Sequence, residues 1–324
     1  MREPAWEIAD LGDHRVLTVE GRSHATHYSE RVIRMLIERK GALRAPLYFP
    51  FKETRGRHFL RPLFEYLSGR GVRGRSAPAG RGLKVLEVGC SFGHNTEYLA
   101  EQPEVAALHT FDTDPAFVEM VRTKVAELGL AAVRDVRLLS NEETCRLPWD
   151  DGAFDVVVVC GVIEHLPERL RRGQVDEYYR VLARGGHIAI LDTPNRLFPL
   201  ETHSVGLPLV QWLPPRLAYR YARLGRPDRY RDVTYEGFVM DGTGWRNATL
   251  AECLPTTGWT GLEDVTEEAG YGWRFFQNTA RSRTRRLLLP GFAAAVALLR
   301  AAGQPPSLCL PYLNLLIRSK DPAS

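Results

Sequence analysis

The residues best suited to chemistry lie at one strand-to-helix turn and at the end of the following strand. The segment VLEVGCSFGHNTEYLA begins as an apolar run, and Gly89 and Gly93 stand four apart before a helix-like stretch. Glycines at such a turn let the backbone bend sharply and come close to a ligand. Glu87 precedes the turn, and a carboxylate in an apolar strand has to be paired or hydrogen-bonded. A ligand with an ammonium group would suit Glu87.

Two phosphate-binding motifs do not fit this turn. A triphosphate-binding loop needs a lysine directly after its last glycine, but His94 and Asn95 follow Gly93. A dinucleotide turn has the pattern G-x-G-x-x-G, and here Ser91 and His94 occupy its second and third glycine positions. Asp112 ends the next apolar run, about twenty residues further on, where an acidic side chain accepts hydrogen bonds from ribose hydroxyls. The pattern therefore favours a nucleoside that carries no pyrophosphate.

The elements that would position these residues alternate between strand-like and helix-like patterns. The strand-like runs are KVLEVG, ALHTFD, VRLLS, FDVVVVCG and HIAILD, and the helix-like stretches include DPAFVEMVRTKVAEL and RRGQVDEYYRVLAR. Continuous Val, Ile and Leu runs that alternate with helices indicate a parallel sheet covered on both faces. We therefore predict an α/β, doubly wound, Rossmann-like sheet, in which ligands bind beyond the carboxyl ends of the strands.

The order of these segments resembles that of class I S-adenosylmethionine-dependent methyltransferases. The segments that carry the resemblance are EVGCSFG, FDTDP, LPWDDGAFDVVVVCGVIEHL, ARGGHIAILDTPN, LAECLPTTGWTGLEDVTEE and YLNLLIRSKD, from about residue 84 to residue 320. The resemblance implies a seven-stranded sheet with an antiparallel last strand, a helix before the sixth strand, and insertions after strand five and before strand seven. It also implies S-adenosylmethionine as cofactor and methyl transfer as activity.

The resemblance further implies which residues hold the cofactor. The turn of Glu87, Gly89, Cys90 and Gly93 would cradle the methionine moiety, and Asp112 would bind the ribose hydroxyls. The other implied positions are Thr113 beside the adenine, one of Asn141, Glu142 and Glu143 at the adenine amino group, and Cys160 and Gly161 along the methyl-transfer channel. Ser91 stands where many members have glycine, and because serine is small we expect cofactor binding to survive.

Three residues are candidates for catalysis. Methyl transfer needs mainly alignment of the acceptor with the methyl carbon, and a general base helps if the acceptor is a hydroxyl. His165 follows the fourth strand of the sheet, and Glu201 and His203 lie in the insertion, where they could form an acid–base pair. The alternatives are a structural or cofactor-side role for His165 and a solvated loop for the other two. No cluster of carboxylates and an amide falls at one site, so we expect no metal.

The cysteines, the net charge and the apolar segments limit the classes of protein to which this chain can belong. The five cysteines, Cys90, Cys145, Cys160, Cys253 and Cys309, form no C-x-x-C pair, so neither a disulfide framework nor a structural zinc is indicated. The net charge of +4 is mild, and the arginine-rich segments SGRGVRGRSAPAGRG and ARSRTRR contain no interleaved aromatic residues, which favours solvated loops over nucleic-acid binding. No secretory signal or spanning apolar segment is recognisable, and we expect a cytoplasmic protein.

The predicted organisation has an N-terminal cap with a basic linker at 1–82 and a methyltransferase domain at 83–324, with an insertion at about 195–245. The cap would contain a hairpin, WEIADLGDHRVLTVEG, and two helices, YSERVIRMLIERKG and HFLRPLFEYLSG. Aromatic residues in the insertion favour a pocket for a small organic molecule, or else they fill the insertion's own core. The apolar LLLPGFAAAVALLRAAG would cover the sheet, form a dimer contact or touch a membrane surface, with packing favoured.

The expected function is methyl transfer to a small-molecule acceptor, most simply to an oxygen of a metabolite, sugar or lipid-like compound. The alternatives are an RNA or protein methyltransferase, a non-catalytic S-adenosylmethionine-binding regulator, and a nicotinamide-dependent oxidoreductase, against which the missing third glycine counts. The expected partners are the small-molecule acceptor and, in one interpretation, a second copy of the chain. We expect neither a nucleic-acid partner nor a transmembrane segment.

Overall fold

The structure is a computed structural model that describes residues 4–72, 82–279 and 283–320. Its strands are β1 (Trp6–Asp10), β2 (Arg15–Val19), β3 (Arg22–Thr26), β4 (Leu83–Val88), β5 (Val105–Asp112), β6 (Val133–Leu138), β7 (Phe154–Cys160), β8 (Leu182–Pro194), β9 (Leu262–Asp264) and β10 (Tyr312–Ser319). Its helices are α1 (Glu30–Lys40), α2 (Arg57–Gly69), α3 (His94–Ala100), α4 (Pro115–Leu128), α5 (Arg171–Arg180), α6 (Pro215–Gly225), α7 (Pro227–Tyr230), α8 (Tyr235–Val239), α9 (Gly272–Thr279) and α10 (Arg283–Ala301).

The predicted seven-stranded α/β sheet is confirmed. Its strand order is β6-β5-β4-β7-β8-β10-β9, and a separate three-stranded sheet has the order β1-β2-β3. The pairs β4–β7, β7–β8 and β5–β6 are parallel, whereas β10 runs antiparallel to both β8 and β9. The sheet is therefore mixed and has the antiparallel last strand that the resemblance implied.

The chain divides into two compact units, Met1–Arg61 with Gly89–Leu138, and Pro62–Val88 with Leu139–Ser324. In the first unit the predicted N-terminal hairpin is present, and β3 adds a strand that the sequence did not indicate. Apolar residues of β2, α1 and α4 form its core, among them Leu17, Ile33 and Met120. Asp114 caps α4 by accepting the backbone N–H of Ala116 at 2.9 Å, which is the capping role that Asp before proline favours.

The second unit contains the central strand. In β7 the residues before the terminal Cys160 are all buried, as expected for a strand covered on both faces. Two helix predictions need correction. The helix at RRGQVDEYYRVLAR ends at Arg180, because Leu182 already pairs with Phe154 as the start of β8. The helix implied within LAECLPTTGWTGLEDVTEE is only a 3-10 turn, Leu250–Cys253, and Pro255 follows it.

The insertion has a small core of its own, built around α6 and α8. The buried members are Val205, Val210, Ala218, Ala222, Phe238 and Trp245. Tyr219, Tyr221 and Tyr230 pack against this core, so much of the aromatic content of the insertion is structural. Tyr235 borders the cavity described below, and Trp245 borders both this core and the cavity.

The apolar C-terminal segment forms α10, and only part of it is packed. Val296 is buried in a cluster with Trp273 and Phe276, whereas Leu287 and Leu298 are 74% and 72% exposed. Among the described residues, no helix combines the length and hydropathy needed to span a bilayer. Most of the predicted basic linker, 73–81, and residues 280–282 of ARSRTRR lie outside the described residues.

Candidate functional site

The glycine turn lies in the first unit, between the end of β4 and the start of α3. Gly89 and Gly93 have φ angles of 73° and 78°, in the left-handed region that favours glycine. The backbone N–H groups of Gly89 and Cys90 both donate to the carbonyl oxygen of Phe111, at 3.0 and 3.1 Å. A Cβ atom on Gly93 would lie 3.0 Å from Val121, so the turn also packs closely on α4.

Asp112 is hydrogen-bonded to the same turn. Its Oδ2 accepts the N–H of Ser91 at 2.8 Å, and its Oδ1 accepts the N–H of Asp114 at 3.0 Å. Burial raises the pKa of Asp112, and the N–H donors oppose this shift. Each carboxylate oxygen has a second lone pair for a ligand hydroxyl. Thr113, the predicted neighbour of the adenine, follows at an exposed position.

The other predicted cofactor residues lie in the second unit. Glu87 is buried in β4 and pairs with Val158 of β7, two residues before Cys160. Cys160 ends β7, and Gly161 follows with φ 65°. Cys160 and Gly161 therefore lie at the strand end where the sequence placed them, and their contact with a cofactor stays a prediction.

The three candidates for the adenine amino group differ in their surroundings. Glu142 forms an exposed ion pair with Arg169 at 3.1 Å. Glu143 begins a short 3-10 turn, and its carboxylate accepts the N–H of Ser140 at 2.7 Å. Asn141 is partly buried, and its carbonyl oxygen accepts a bond from the side chain of Gln174. Glu142 and Glu143 thus bond protein groups through their carboxylates, whereas the bond from Gln174 to Asn141 goes to its backbone oxygen.

Two of the predicted catalytic residues are in direct contact. His165 Nε2 lies 3.1 Å from His203 Nε2, and His165 Nδ1 lies 2.7 Å from the carbonyl oxygen of Gly242. A carbonyl only accepts hydrogen bonds, so Nδ1 of His165 carries the proton of the neutral ring. Burial lowers the pKa of His165 and favours that neutral ring. Nε2 of His165 is then an acceptor, and His203 donates to it through Nε2–H.

Gly244 makes room for this histidine pair. A Cβ atom at this position would lie 3.0 Å from Cε1 of His165 and 3.2 Å from Cδ2 of His203. Glu164, which is fully buried, places Oε1 3.9 Å from Nε2 of His165. One ligand atom each from Glu164, His165 and His203 lie within 4.8 Å of one another, so these three residues have the spacing of a metal site.

Glu201 does not have the surroundings of an acid–base group. Its carboxylate is fully buried and accepts four backbone N–H groups, from His203 and Ser204 at 2.6 and 2.9 Å and from Val205 and Gly206 at 2.6 and 2.8 Å. N–H donors occupy both oxygens, and the acid–base pairing of Glu201 with His203 stays a prediction that these bonds do not favour. Glu201 holds the backbone of the loop that carries His203.

An arginine network fixes the segments around the histidine pair. Arg171 is buried and donates to the carbonyl oxygens of Glu164 and Leu166 and, at 2.8 Å, to the carboxylate of Glu252. Arg196, at the start of the insertion, donates to the same carboxylate at 3.0 Å. The network therefore connects the segment after β7 to the insertion.

A cavity of about 250 Å³ opens beside these residues within the second unit. Its lining combines the apolar and aromatic side chains of Tyr235, Val239, Met240 and Trp245 with the charged side chains of Glu164, Glu168, Arg171, Asp241 and Arg246. The histidine pair itself does not line the cavity, but Glu164 and Gly244 adjoin both. The cavity thus offers mixed apolar and charged surroundings for a small molecule.

Comparison with known proteins adds the family. Residues 86–190 match the family model described as "Methyltransferase domain". They form a class I S-adenosylmethionine-dependent methyltransferase domain. The methyltransferase domain includes the glycine turn, Asp112 and His165, whereas the insertion with His203 lies beyond the matched residues.

The similar proteins are distant from this chain. The chain is 28% identical over 118 residues to "Ubiquinone/menaquinone biosynthesis C-methyltransferase UbiE" of Geobacter sp. (strain M21), which covers 36% of this chain and 48% of that protein. It is 28% identical over 158 residues to "Probable tRNA methyltransferase 9B" of Bos taurus, covering 47% of this chain and 30% of that protein. The chain thus spans about half or less of the length of these relatives.

One solved structure aligns with most of this chain. The "putative sarcosine dimethylglycine methyltransferase from Galdieria sulphuraria" is 15% identical and covers 91% of this chain and 92% of that chain, with a TM-score of 0.43.

Sequence reasoning missed three features of the candidate site. The carbonyl of Gly242 and the missing side chain of Gly244 contact the histidine pair, and Glu164 adjoins it. A glycine pair in DGTGW was the available signal, but nothing in the sequence tied that pair to a histidine 77 residues earlier. The pairing of His165 with His203 was likewise not predicted, although each was named separately.

Proposed function

We propose that this chain transfers the methyl group of S-adenosylmethionine to an oxygen of a small organic acceptor. The observation that carries the proposal is the match of residues 86–190 to the methyltransferase family, together with a glycine turn that is hydrogen-bonded to an acidic strand end. The left-handed glycines leave the backbone open to a ligand, and Asp112 keeps acceptor capacity for two ribose hydroxyls.

In this proposal the cofactor is held from several strand ends. Gly89, Cys90 and Gly93 approach the methionine moiety, Glu87 accepts its ammonium group, and Asp112 binds the ribose. Thr113 lies beside the adenine. Of the three candidates for the adenine amino group, Asn141 accepts its hydrogen bond, and Glu142 and Glu143 do not. Cys160 and Gly161 border the methyl group through their backbone.

The acceptor binds in the cavity beside Gly244. The aromatic rings of Tyr235 and Trp245 suit an acceptor with an aromatic body, and the charged side chains of Glu168, Arg171 and Arg246 in the same lining suit one that also carries polar groups. The name of the Geobacter relative places that protein in quinone biosynthesis, and this also supports an aromatic acceptor.

His203 takes the proton of the acceptor hydroxyl. The oxygen lone pair forms the new bond to the methyl carbon, the electron pair of the carbon–sulfur bond moves to sulfur, and the hydroxyl proton goes to Nδ1 of His203. His165 acts as a positioning residue, because its bare Nε2 accepts the Nε2–H of His203 and so favours the protonated ring. Glu201 fixes the loop that presents His203.

The direct test is acceptor-dependent release of S-adenosylhomocysteine. The full chain is incubated with S-adenosylmethionine and hydroxylated aromatic compounds or extract fractions, and cofactor binding is measured by calorimetry in parallel. We expect micromolar cofactor binding and release with at least one small-molecule fraction. Binding without release from any fraction would overturn catalysis and favour a regulatory protein. Release only with tRNA, with strong salt dependence, would redirect the proposal to RNA.

A further inference from the structure

The side chains of Glu164, His165 and His203 form a cluster with the composition and spacing of a transition-metal site. The cluster is built from two segments, the turn after β7 and the insertion loop, and its ligand atoms lie within 4.8 Å of one another. We propose that these three side chains bind one divalent transition-metal ion, with Zn²⁺ and Co²⁺ as the best-suited probes. The proposal deepens the proposed function, because it concerns the same acceptor side of the site.

The separation of the two imidazoles fits coordination to one ion. Two nitrogens at about 2.0–2.1 Å from a zinc ion stand about 3.1 Å apart when the angle between them is about 95–102°. The Nε2 atoms of His165 and His203 are 3.1 Å apart. That angle lies between the octahedral and the tetrahedral value, so an ion fits with no change in the nitrogen separation.

The surroundings of His165 are those of a metal ligand. Metal-binding histidines use one ring nitrogen for the ion and donate the other N–H to a carboxylate or a backbone carbonyl, which fixes the tautomer. Nδ1 of His165 makes that bond with the carbonyl oxygen of Gly242, and Nε2 is left toward His203. His203 joins as a ligand by carrying its proton on Nδ1 in place of Nε2.

The carboxylate of Glu164 completes a set of two nitrogens and one oxygen. Its side chain is fully buried, and Oε1 lies 3.9 Å from Nε2 of His165. Carboxylate oxygens and imidazole nitrogens bind divalent transition metals together, so Glu164 adds an oxygen ligand to the two nitrogens of the histidine pair.

The donor set also selects among metals. Imidazole nitrogens with one carboxylate suit Zn²⁺, Co²⁺, Ni²⁺ and Fe²⁺, whereas Mg²⁺ prefers oxygen ligands alone. Three protein ligands leave an open position, and His203 is exposed, so a hydroxyl or thiol of the acceptor can reach the ion. A bound metal would lower the pKa of such a hydroxyl and replace His203 as the group that favours its ionised form.

The test measures metal binding on the full chain, apart from activity. After chelator treatment and dialysis, the protein is titrated with Zn²⁺ by calorimetry and with Co²⁺ by visible absorption, and Mg²⁺ serves as the ion that should not bind. We expect one equivalent of Zn²⁺ or Co²⁺. His203→Ala and Glu164→Gln should each weaken binding at least about tenfold, which is the scale at which even supporting groups of metal sites act.

Control variants keep the result decisive. His14 is an exposed histidine bonded to Asp13, and His14→Ala should leave metal affinity unchanged. Because Glu164 is buried, thermal unfolding is measured for Glu164→Gln, and His203→Ala decides the question if that variant unfolds. Equal Zn²⁺ affinity in His203→Ala and the unmodified chain would overturn the metal site, as would the absence of binding.

Activity assays separate this inference from the proposed function. If methyl transfer occurs but no metal binds, the proposed function stands and the metal site is wrong. If one equivalent of metal binds through His203 but no acceptor is methylated, the metal site stands and the proposed function fails.

Discussion

The backbone N–H of Ser91 donates to Oδ2 of Asp112 over 2.8 Å, which joins the glycine turn to the acidic end of β5. Two further bonds, from the N–H groups of Gly89 and Cys90 to the carbonyl of Phe111, run alongside it. The two ligand-binding features that the sequence predicted separately are therefore one hydrogen-bonded structure. A change in the turn or in Asp112 is therefore expected to affect cofactor affinity and the stability of the fold.

Asp112→Ala should weaken S-adenosylmethionine binding by about 1–3 kcal/mol, because the bonds to the ribose hydroxyls are lost. Calorimetric titration measures the affinity. Asp114→Ala is the matched control, since Asp114 caps α4 and should cost about 1 kcal/mol of stability without changing cofactor affinity. Unchanged affinity in a folded Asp112→Ala variant would contradict the ribose assignment.

Ser91→Gly should stabilise the protein. Ser91 has φ 47°, a left-handed conformation that costs a residue with a Cβ atom about 1 kcal/mol or more. We therefore expect the free energy of unfolding to rise by about 1 kcal/mol in chemical denaturation. Ser23→Gly, at a position in β3 that is outside the left-handed region, should instead lower it. Equal effects of the two substitutions would remove the strain argument.

Lys124→Met should destabilise the first unit strongly. Nζ of Lys124 lies 2.7 Å from Oε1 of Glu97, both side chains are buried, and the hydroxyl of Tyr28 donates to the same oxygen. Removing the cation leaves a buried carboxylate, at a cost of about 3–5 kcal/mol. Lys52→Met, which breaks the more exposed pair with Glu101, should cost less than about 1 kcal/mol. Urea denaturation compares them, and similar losses would contradict the prediction.

The strands were predictable because their residues follow local patterns. The run FDVVVVC is apolar throughout and forms the buried β7, and Asp114 before Pro115 caps α4. The prediction failed where pairing between strands, and not the local residue pattern, determines the secondary structure. Residues 182–184 continue a helical pattern, but the pairing of Leu182 with Phe154 makes them the start of β8. β3 has almost no apolar residue, and only its pairing with β2 defines it as a strand.

The candidate catalytic residues were harder to place because long-range contacts bring them together. His165 and His203 could be named as chemically suitable residues, but their contact depends on Gly242 and Gly244, which lie far along the chain. The surroundings of Glu201 were not predicted for a related reason. A carboxylate next to a histidine in sequence suggests acid–base chemistry, whereas its burial beneath four backbone N–H groups was not readable from the sequence.

Glu201→Gln should therefore loosen the loop. The amide of glutamine has one acceptor oxygen and presents N–H donors on the other side, so at least one buried N–H pair loses its acceptor. We expect a loss of about 1–3 kcal/mol in unfolding free energy and slower methyl transfer with unchanged S-adenosylmethionine affinity. Glu236→Gln, at an exposed position in α8, is the control and should alter neither. A fully stable Glu201→Gln variant would contradict the positioning role.

Gly244→Ala should lower methyl transfer without weakening cofactor binding. The added Cβ atom would lie 3.0 Å from His165 and 3.2 Å from His203, so the pair has to shift. Displacement of reacting groups by about 1 Å can reduce turnover about a hundredfold. Gly258→Ala separates this effect from backbone strain, because Gly258 has a similar φ of 61° and nothing within 4 Å of the added atom. Both variants should lose similar stability, and only Gly244→Ala should lose kcat. Equal turnover in the two would mean that the histidine pair does not face the acceptor.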